Sequence, residues 1–259
     1  MLYATPVFRP MGDRSLLVEL GEKISPDVNR RVQELMLKLE QARLPGVREF
    51  APGYRSLLVV FDPLTLSASE LKARITDVAA CPGSAGLPQA KLLTVPVFYG
   101  GEYGPDLEGV AGHLGISTDE VIRLHTETIY RVYMIGFTPG YPYMGELPAA
   151  LAVPRRSTPR TRVPKGSVGI AQRQTGIYSV ESPGGWQIIG WTPIELFDPT
   201  RQLPSLLEMG DSVRVVGDKA AVEQFARQVH GAPHKADETN MLPFLIGLVL
   251  GIAVGSIPI

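Results

Sequence analysis

The chain of 259 residues has a single cysteine, Cys81, which excludes an internal disulfide framework and suits a reducing compartment. Neither sign of charge dominates. Lys and Arg number 25 against 26 Asp and Glu, a formal net charge of -1, so the overall balance gives no argument for nucleic acid. The N-terminus, M-L-Y-A-T-P-V-F-R-P, lacks the basic head and apolar run of a secretory signal, so the body of the protein is expected in the cytoplasm. No G-x-x-x-x-G-K-[ST] loop occurs, so any nucleotide must be held in another way or by a partner protein. His113, His230 and His234 show no metal-ligand spacing, and no metal site is expected. There is no internal repeat and no low-complexity segment.

One stretch does lack charge entirely. Met241 to Ile259 follows the polar link H-K-A-D-E-T-N, and as a helix it would span roughly 28 Å, close to a bilayer core. Gly247, Gly251 and Gly255 would line one face, a helix-packing pattern in membranes. Pro243 and Pro258 shorten the usable helix, and the other reading is a truncated or fused continuation, or a tail docked on an apolar groove.

The remaining chain divides into an expected small α+β domain over residues 1–88, a β-barrel domain over 89–232, and a linker and tail over 233–259. In the first, Ser15 to Leu20 reads as a strand. Ser25-Pro26 starts a helix carrying Val28, Val32, Leu35, Met36 and Leu39 at helical spacing. Val47 to Phe50 and Ser56 to Phe61 read as strands around the turn Pro52-Gly53. Ser67 and Glu70 form a capping box for a second helix. With a last strand this is a split β-α-β, ferredoxin-like arrangement. Residues 81–88 are the candidate linker. Beyond it, Lys91 to Phe98, Tyr130 to Ile135 and Ser212 to Val216 read as strands. Asp106 to Leu114, Ser117 to His125 and Lys219 to Val229 read as helices. Many short strands between Gly/Pro turns predict a closed or nearly closed β-barrel.

The chemistry concentrates between Ile135 and Pro193. Glycine and proline recur there densely, which suggests rigid, shaped loops. Arg155, Arg156, Arg160, Arg162 and Lys165 fall in one loop with no acidic residue among them, and Pro154, Pro159 and Pro164 recur every fifth position. Arginine holds carboxylate or phosphate through a planar fork of donors, so this loop is a candidate anion site; a solvated basic loop, or one paired elsewhere, is the plainer alternative. Gln172, Gln174, Thr175, Tyr178, Ser182, Gly184, Gly185 and Trp186 follow. Gln offers donor and acceptor for an amide, Tyr and Trp an apolar wall, and the Gly184 and Gly185 N–H groups could face an oxyanion. The same residues also describe a hairpin with a buried Trp. His125 is a candidate acid/base, or a packed helix histidine. Ser167 in K-G-S-V-G does not match a nucleophile elbow and reads as a turn serine.

Several long motifs occur together: G-F-T-P-G-Y-P-Y-M-G, P-R-R-S-T-P-R-T-R-V-P-K-G-S-V-G-I-A, Q-T-G-I-Y and S-P-G-G-W-Q-I-I-G-W-T-P, with G-D-R-S-L-L-V-E-L and P-G-Y-R-S-L-L-V-V-F-D-P nearer the N-terminus. They resemble the family variously called the B component of 5-oxoprolinase, KipI, or allophanate hydrolase subunit 1, over roughly residues 5–230. Met144 and Glu146 depart from that pattern. The resemblance implies a small α+β domain, a cyclophilin-like β-barrel, and a KipA-like sister protein, the C component, as partner. With a third protein, the A component, such a pair opens 5-oxoproline to glutamate at the expense of ATP. On this reading Arg155, Arg156 and Arg160 hold a carboxylate or phosphoryl group, while Gln174, Tyr178 and Trp186 shape a lactam pocket. The resemblance names no catalytic residue. The same family includes an inhibitor of sensor histidine kinase autophosphorylation, which is the alternative function. A membrane-tethered regulator is a third reading, motivated only by the tail.

Overall fold

The computed structural model describes residues 1–81 and 86–217. Contacts group residues 1–218 as one unit and 219–259 as another. The expected helix at Lys219 to Val229, the apolar stretch after Met241, His230, His234 and the middle of the linker lie outside the described residues.

The N-terminal lobe contains β1 (Leu2–Pro10), β2 (Ser15–Gly21), α1 (Pro26–Ala42), β3 (Val47–Pro52), β4 (Ser56–Phe61) and α2 (Ala68–Ala80). Helix α1 starts as its sequence dictates. Ser25 is extended and accepts from the Val28 N–H, and Pro26 occupies the first turn. Its buried face carries Val28, Val32, Leu35 and Leu39, but also Asn29 and Gln33. The full capping box forms at α2 between Ser67 and Glu70. Both helices cover a core that includes Leu16, Val18, Leu57, Val59, Leu71 and Ile75.

The sheet order is β1-β2-β4-β3, antiparallel throughout. Among the described residues no strand after α2 joins this sheet to complete a ferredoxin-like arrangement. That edge position beside β2 is filled by β1, from the start of the chain. Strand β1 gives little signal because it is a mostly exposed edge with Pro6 and Pro10, residues a central strand does not tolerate.

After α2 the chain enters a second sheet. Its elements are β5 (Leu92–Pro96), β6 (Phe98–Tyr99), α3 (Leu107–Leu114), α4 (Thr118–Thr126), β7 (Ile129–Ile135), β8 (Pro142–Gly145), β9 (Arg160–Val163), β10 (Ser167–Ala171), β11 (Gln174–Ile177), β12 (Ser182–Gly184), β13 (Gln187–Trp191) and β14 (Ser212–Val216). Among the described residues eight of these strands form one sheet in the order β5-β14-β7-β8-β11-β10-β13-β6, and β9 pairs with β12 separately. The two edge strands, β5 and β6, are separated only by Val97, so the sheet curls round until its edges nearly meet. Every residue of β10 is buried, because one side faces the barrel interior and the other is covered. After β13 an isolated bridge joins Phe197 to Ser205, and the Leu196 carbonyl accepts from the Leu206 N–H at 2.8 Å.

The polar residues on the buried face of α1 join the lobes. The Asn29 Nδ2 donates to the Tyr133 carbonyl at 2.9 Å and to the Tyr54 carbonyl at 3.2 Å. Gln33 Nε2 donates to the Met209 carbonyl at 2.7 Å. These contacts fix the turn after β3 against the barrel strand β7. Among the described residues no helix is long and apolar enough to cross a membrane.

Candidate functional site

The cationic loop runs from Pro154 into β9 and packs beside the segment that leads from β12 to β13. Arg156 N–H donates to the Gly185 carbonyl at 2.8 Å. The loop's charges are largely answered from elsewhere in the chain. Asp106, ahead of α3, is almost fully buried at 8% exposure. It accepts from Arg156 Nη1 at 2.8 Å, from Arg160 Nη1 and Nη2 at 2.8 Å each, and from the Ile188 N–H at 2.7 Å. Burial pushes the Asp106 carboxyl up, but the Arg160 and Ile188 hydrogen bonds and both arginine charges outweigh it and hold it below its usual value. Arg162 pairs with Glu181 at 2.7 Å, and Lys165 pairs with Glu195.

Arg155 differs. It is exposed, and among the described residues no carboxylate lies within ion-pair distance of it. Its charge acts instead on Tyr54, Tyr141, Tyr143 and Tyr178. The three arginines grouped from sequence therefore separate. Arg156 and Arg160 share the buried Asp106 carboxylate, and Arg155 has no carboxylate partner among the described residues. Double replacement of Arg156 and Arg160 would strand Asp106, so it cannot report on ligand binding alone.

Beside Arg155 lies a cluster of rings. Tyr141 packs edge-on to Tyr178 (5.2 Å between centroids) and Trp186 (6.1 Å). Tyr143 contacts Tyr141 at 4.9 Å and Trp186 at 5.9 Å. Tyr54, from the turn between β3 and β4, closes the cluster against Tyr133 at 5.7 Å and Tyr143 at 5.8 Å. Tyr178 and Trp186 are buried, so they form the inner wall rather than the exposed surface of this patch. Gly184 is required here: a Cβ on it would stand 2.1 Å from the Tyr178 hydroxyl, which accepts from the Trp186 N–H. Gly176 lets Tyr141 approach in the same way, with its hydroxyl 2.5 Å from where a Cβ would be. Gly184 also pairs with Arg160 across β12 and β9, and Gly185 supplies the carbonyl that holds Arg156. Burial raises the phenols of Tyr54, Tyr141 and Tyr178, so all three are neutral near pH 7 and can donate hydrogen bonds.

Gln174 is half-buried and faces Tyr54. Ser167 is buried at the start of β10, its carbonyl accepting from the Tyr178 N–H. His125 sits in the interior of the barrel lobe. One ring nitrogen bonds the Tyr99 hydroxyl at 2.6 Å and the other bonds Thr175 Oγ1 at 3.0 Å. Burial lowers its pKa to about 3. Both ring nitrogens are occupied and the ring has no exposure, the arrangement of a packed helix histidine. Among the described residues no group of three or more His, Cys, Asp or Glu converges to hold a metal.

Two members of the site escaped the sequence reading. Asp106 reads there only as a helix start, and nothing local shows that its side chain turns away from α3. Tyr54 does carry a signal, since it lies inside the P-G-Y-R-S motif.

A mixed α/β lobe, a nearly closed barrel and an arginine-and-aromatic patch at their seam define the class. The chain belongs to the family of the carboxyltransferase domain, subdomain C and D, which matches residues 6–207. Within that class it is similar to proteins named as the B component of 5-oxoprolinase. The one from Bacillus subtilis is 39% identical over 80% of this chain and 90% of the relative. The one from Escherichia coli O157:H7 is 41% identical over 82% of this chain and 96% of the relative. Among solved structures, the protein TTHA0988 superposes with a TM-score of 0.70 at 39% identity, and the match covers 80% of this chain but 40% of that one. The Kluyveromyces lactis urea carboxylase gives a TM-score of 0.70 at 19% identity, over 96% of this chain and 26% of that one, which speaks to the fold.

Proposed function

We propose that this chain is the B component of an ATP-dependent 5-oxoprolinase, which opens 5-oxoproline to L-glutamate together with the A and C components. The observation that carries the reading is the likeness to relatives of that name along nearly their whole length. Those names favour an enzyme component over a kinase inhibitor. In this reading the second sheet is a cyclophilin-like barrel, supported by its near closure, and the lobes divide near residue 88. Assembly with other components is supported by the naming of the relatives as one part of 5-oxoprolinase, and the KipA-like C component is the partner that the family resemblance supplies.

The substrate's chemistry fits the patch. 5-Oxoproline carries a carboxylate next to a lactam N–H and C=O. Arg155 offers the carboxylate a free guanidinium, Gln174 offers the amide a donor and an acceptor, and Tyr143 and Trp186 wall the ring. Arg156 and Arg160, locked to Asp106, hold the loop that presents Arg155, and Gly184 and Gly185 let that loop and Tyr178 pack closely. The open side of the patch is where the KipA-like partner would complete the pocket. An unstrained five-membered lactam is a poor electrophile, so ATP consumption by the complex activates it. This chain has no G-x-x-x-x-G-K-[ST] loop, so the nucleotide is held in another way or by a partner protein.

The test is glutamate release from 5-oxoproline with ATP, using this chain co-expressed with its candidate A and C partners and each omitted in turn. Turnover that requires this chain is the expected result. Full turnover without it, or none from the complete set, overturns the reading.

A further inference from the structure

We infer that Tyr54, carried by the N-terminal lobe, is a substrate-binding residue of this site, its phenol donating to the ring carbonyl of a small carboxylated lactam whose carboxylate lies on Arg155. This rests on the 5-oxoprolinase reading above and adds to it a specific residue from the other lobe.

The Tyr54 hydroxyl is buried and has no hydrogen-bond partner among the described residues. A buried donor without a partner is rare in native proteins and costs free energy, so an orphan at a candidate site points to a ligand. The Gln174 carboxamide faces this hydroxyl closely enough to favour its ionised form, yet falls short of a hydrogen bond with it. Tyr54 is not adrift. Its backbone carbonyl is held by the fully buried Asn29, which also grips the Tyr133 carbonyl of β7. Its ring is flanked by Tyr133 and Tyr143. The turn is therefore fixed while its one polar side-chain atom is left unused.

Arg155 provides the second observation. It is the member of the loop with no carboxylate partner among the described residues, and its charge reaches Tyr54. Because the phenol oxygen is buried, contact with a ligand requires a neighbouring side chain to move. A guanidinium whose charge reaches a neutral phenol matches a molecule that presents a carboxylate and, across a small ring, an amide carbonyl.

The test is Tyr54→Phe in the reconstituted complex, with cyclopentanecarboxylate as a competitor that has the ring and the carboxylate but no carbonyl. The KM for 5-oxoproline is expected to rise about tenfold with kcat within about twofold, the loss of one neutral hydrogen bond. Inhibition by cyclopentanecarboxylate should be unchanged. The melting temperature of the variant should equal or exceed that of the wild type, because an unsatisfied buried hydroxyl has been removed. A KM within about twofold of wild type overturns the inference while leaving the function intact, and so does a lowered melting temperature with unchanged KM, which would mark a structural hydroxyl. A wild-type complex with no turnover instead removes the function reading, and the inference falls with it.

Discussion

Asp106→Asn is the substitution whose outcome tests most of the site's architecture at once. The carboxylate is 9% exposed at its side chain and takes three hydrogen bonds from two guanidiniums that are 34% and 24% exposed. It also accepts from the Ile188 N–H. The amide keeps the shape but carries no charge and turns an N–H₂ group toward a donor. Removing one partner of a buried pair costs roughly 3–5 kcal/mol, and the partial exposure of both arginines puts the expectation at the low end, about 3 kcal/mol. For a chain of this size each kcal/mol moves the melting temperature by roughly 2–4 °C, so a fall of roughly 6–12 °C should follow. Calorimetric melting and urea titration of the isolated chain would measure it, with Glu181→Gln as control. The Glu181 pair with Arg162 is 45% and 54% exposed, and its loss should cost under about 0.5 kcal/mol. In the wild type the Asp106 contribution is present above its ordinary value of 3.8, because the folded pKa is lower, and is lost as pH falls below that value. An Asp106→Asn protein within about 1 kcal/mol of wild type would refute the claim that Arg156 and Arg160 are scaffold.

Three further outcomes are expected. Arg155→Ala should leave the melting temperature unchanged, because the residue is exposed and unpaired, and should raise the KM for 5-oxoproline by roughly ten- to a hundredfold, the worth of a charge-assisted hydrogen bond; unaltered kinetics would move the anion site elsewhere. Asn29→Ala should cost about 1–3 kcal/mol by leaving the Tyr133 carbonyl without its donor, and should weaken substrate binding by loosening the Tyr54 turn, both measurable in one preparation. His125 is neutral in the fold and, once unfolded, takes up a proton below its ordinary 6.5, so stability should fall by up to about 1.4 kcal/mol per pH unit between 6.5 and about 3. His125→Gln should flatten that slope in urea titrations across the range; an unchanged slope would mean the imidazole is not held neutral.

Local elements were legible because their causes are local. Ser25-Pro26, the Ser67 and Glu70 box, the alternation in Ser56 to Phe61 and the apolar run of Ser212 to Val216 each sit where the structure has them, since caps, periods and turns act within a few residues. Strand β1 was not, because an exposed edge with two prolines carries no buried period. The Gly/Pro-dense stretch was legible as the source of the candidate site's residues, and a buried Trp186 was one of the two readings it offered. The ring cluster that buries Trp186 and Tyr178 was not legible, because it depends on Tyr141 and Tyr143 packing against them from β8 and the loop before it.

By itself the sequence determined the family, the turn-rich barrel, the cationic loop and the serine caps that start α1 and α2. The tertiary structure alone decided which charges are free. Five cations close in sequence look equivalent, but ion pairing acts through space. Asp106 and Glu195, dozens of residues distant, and Glu181 return to that loop and neutralise all of them except Arg155. It also decided that Asn29, on a helix face expected to be apolar, ties Tyr54 to the barrel, so that a turn in one lobe becomes part of a site in the other. Hydrogen-bond partners that distant leave no period in the chain, and only folding brings them within about 3 Å of one another.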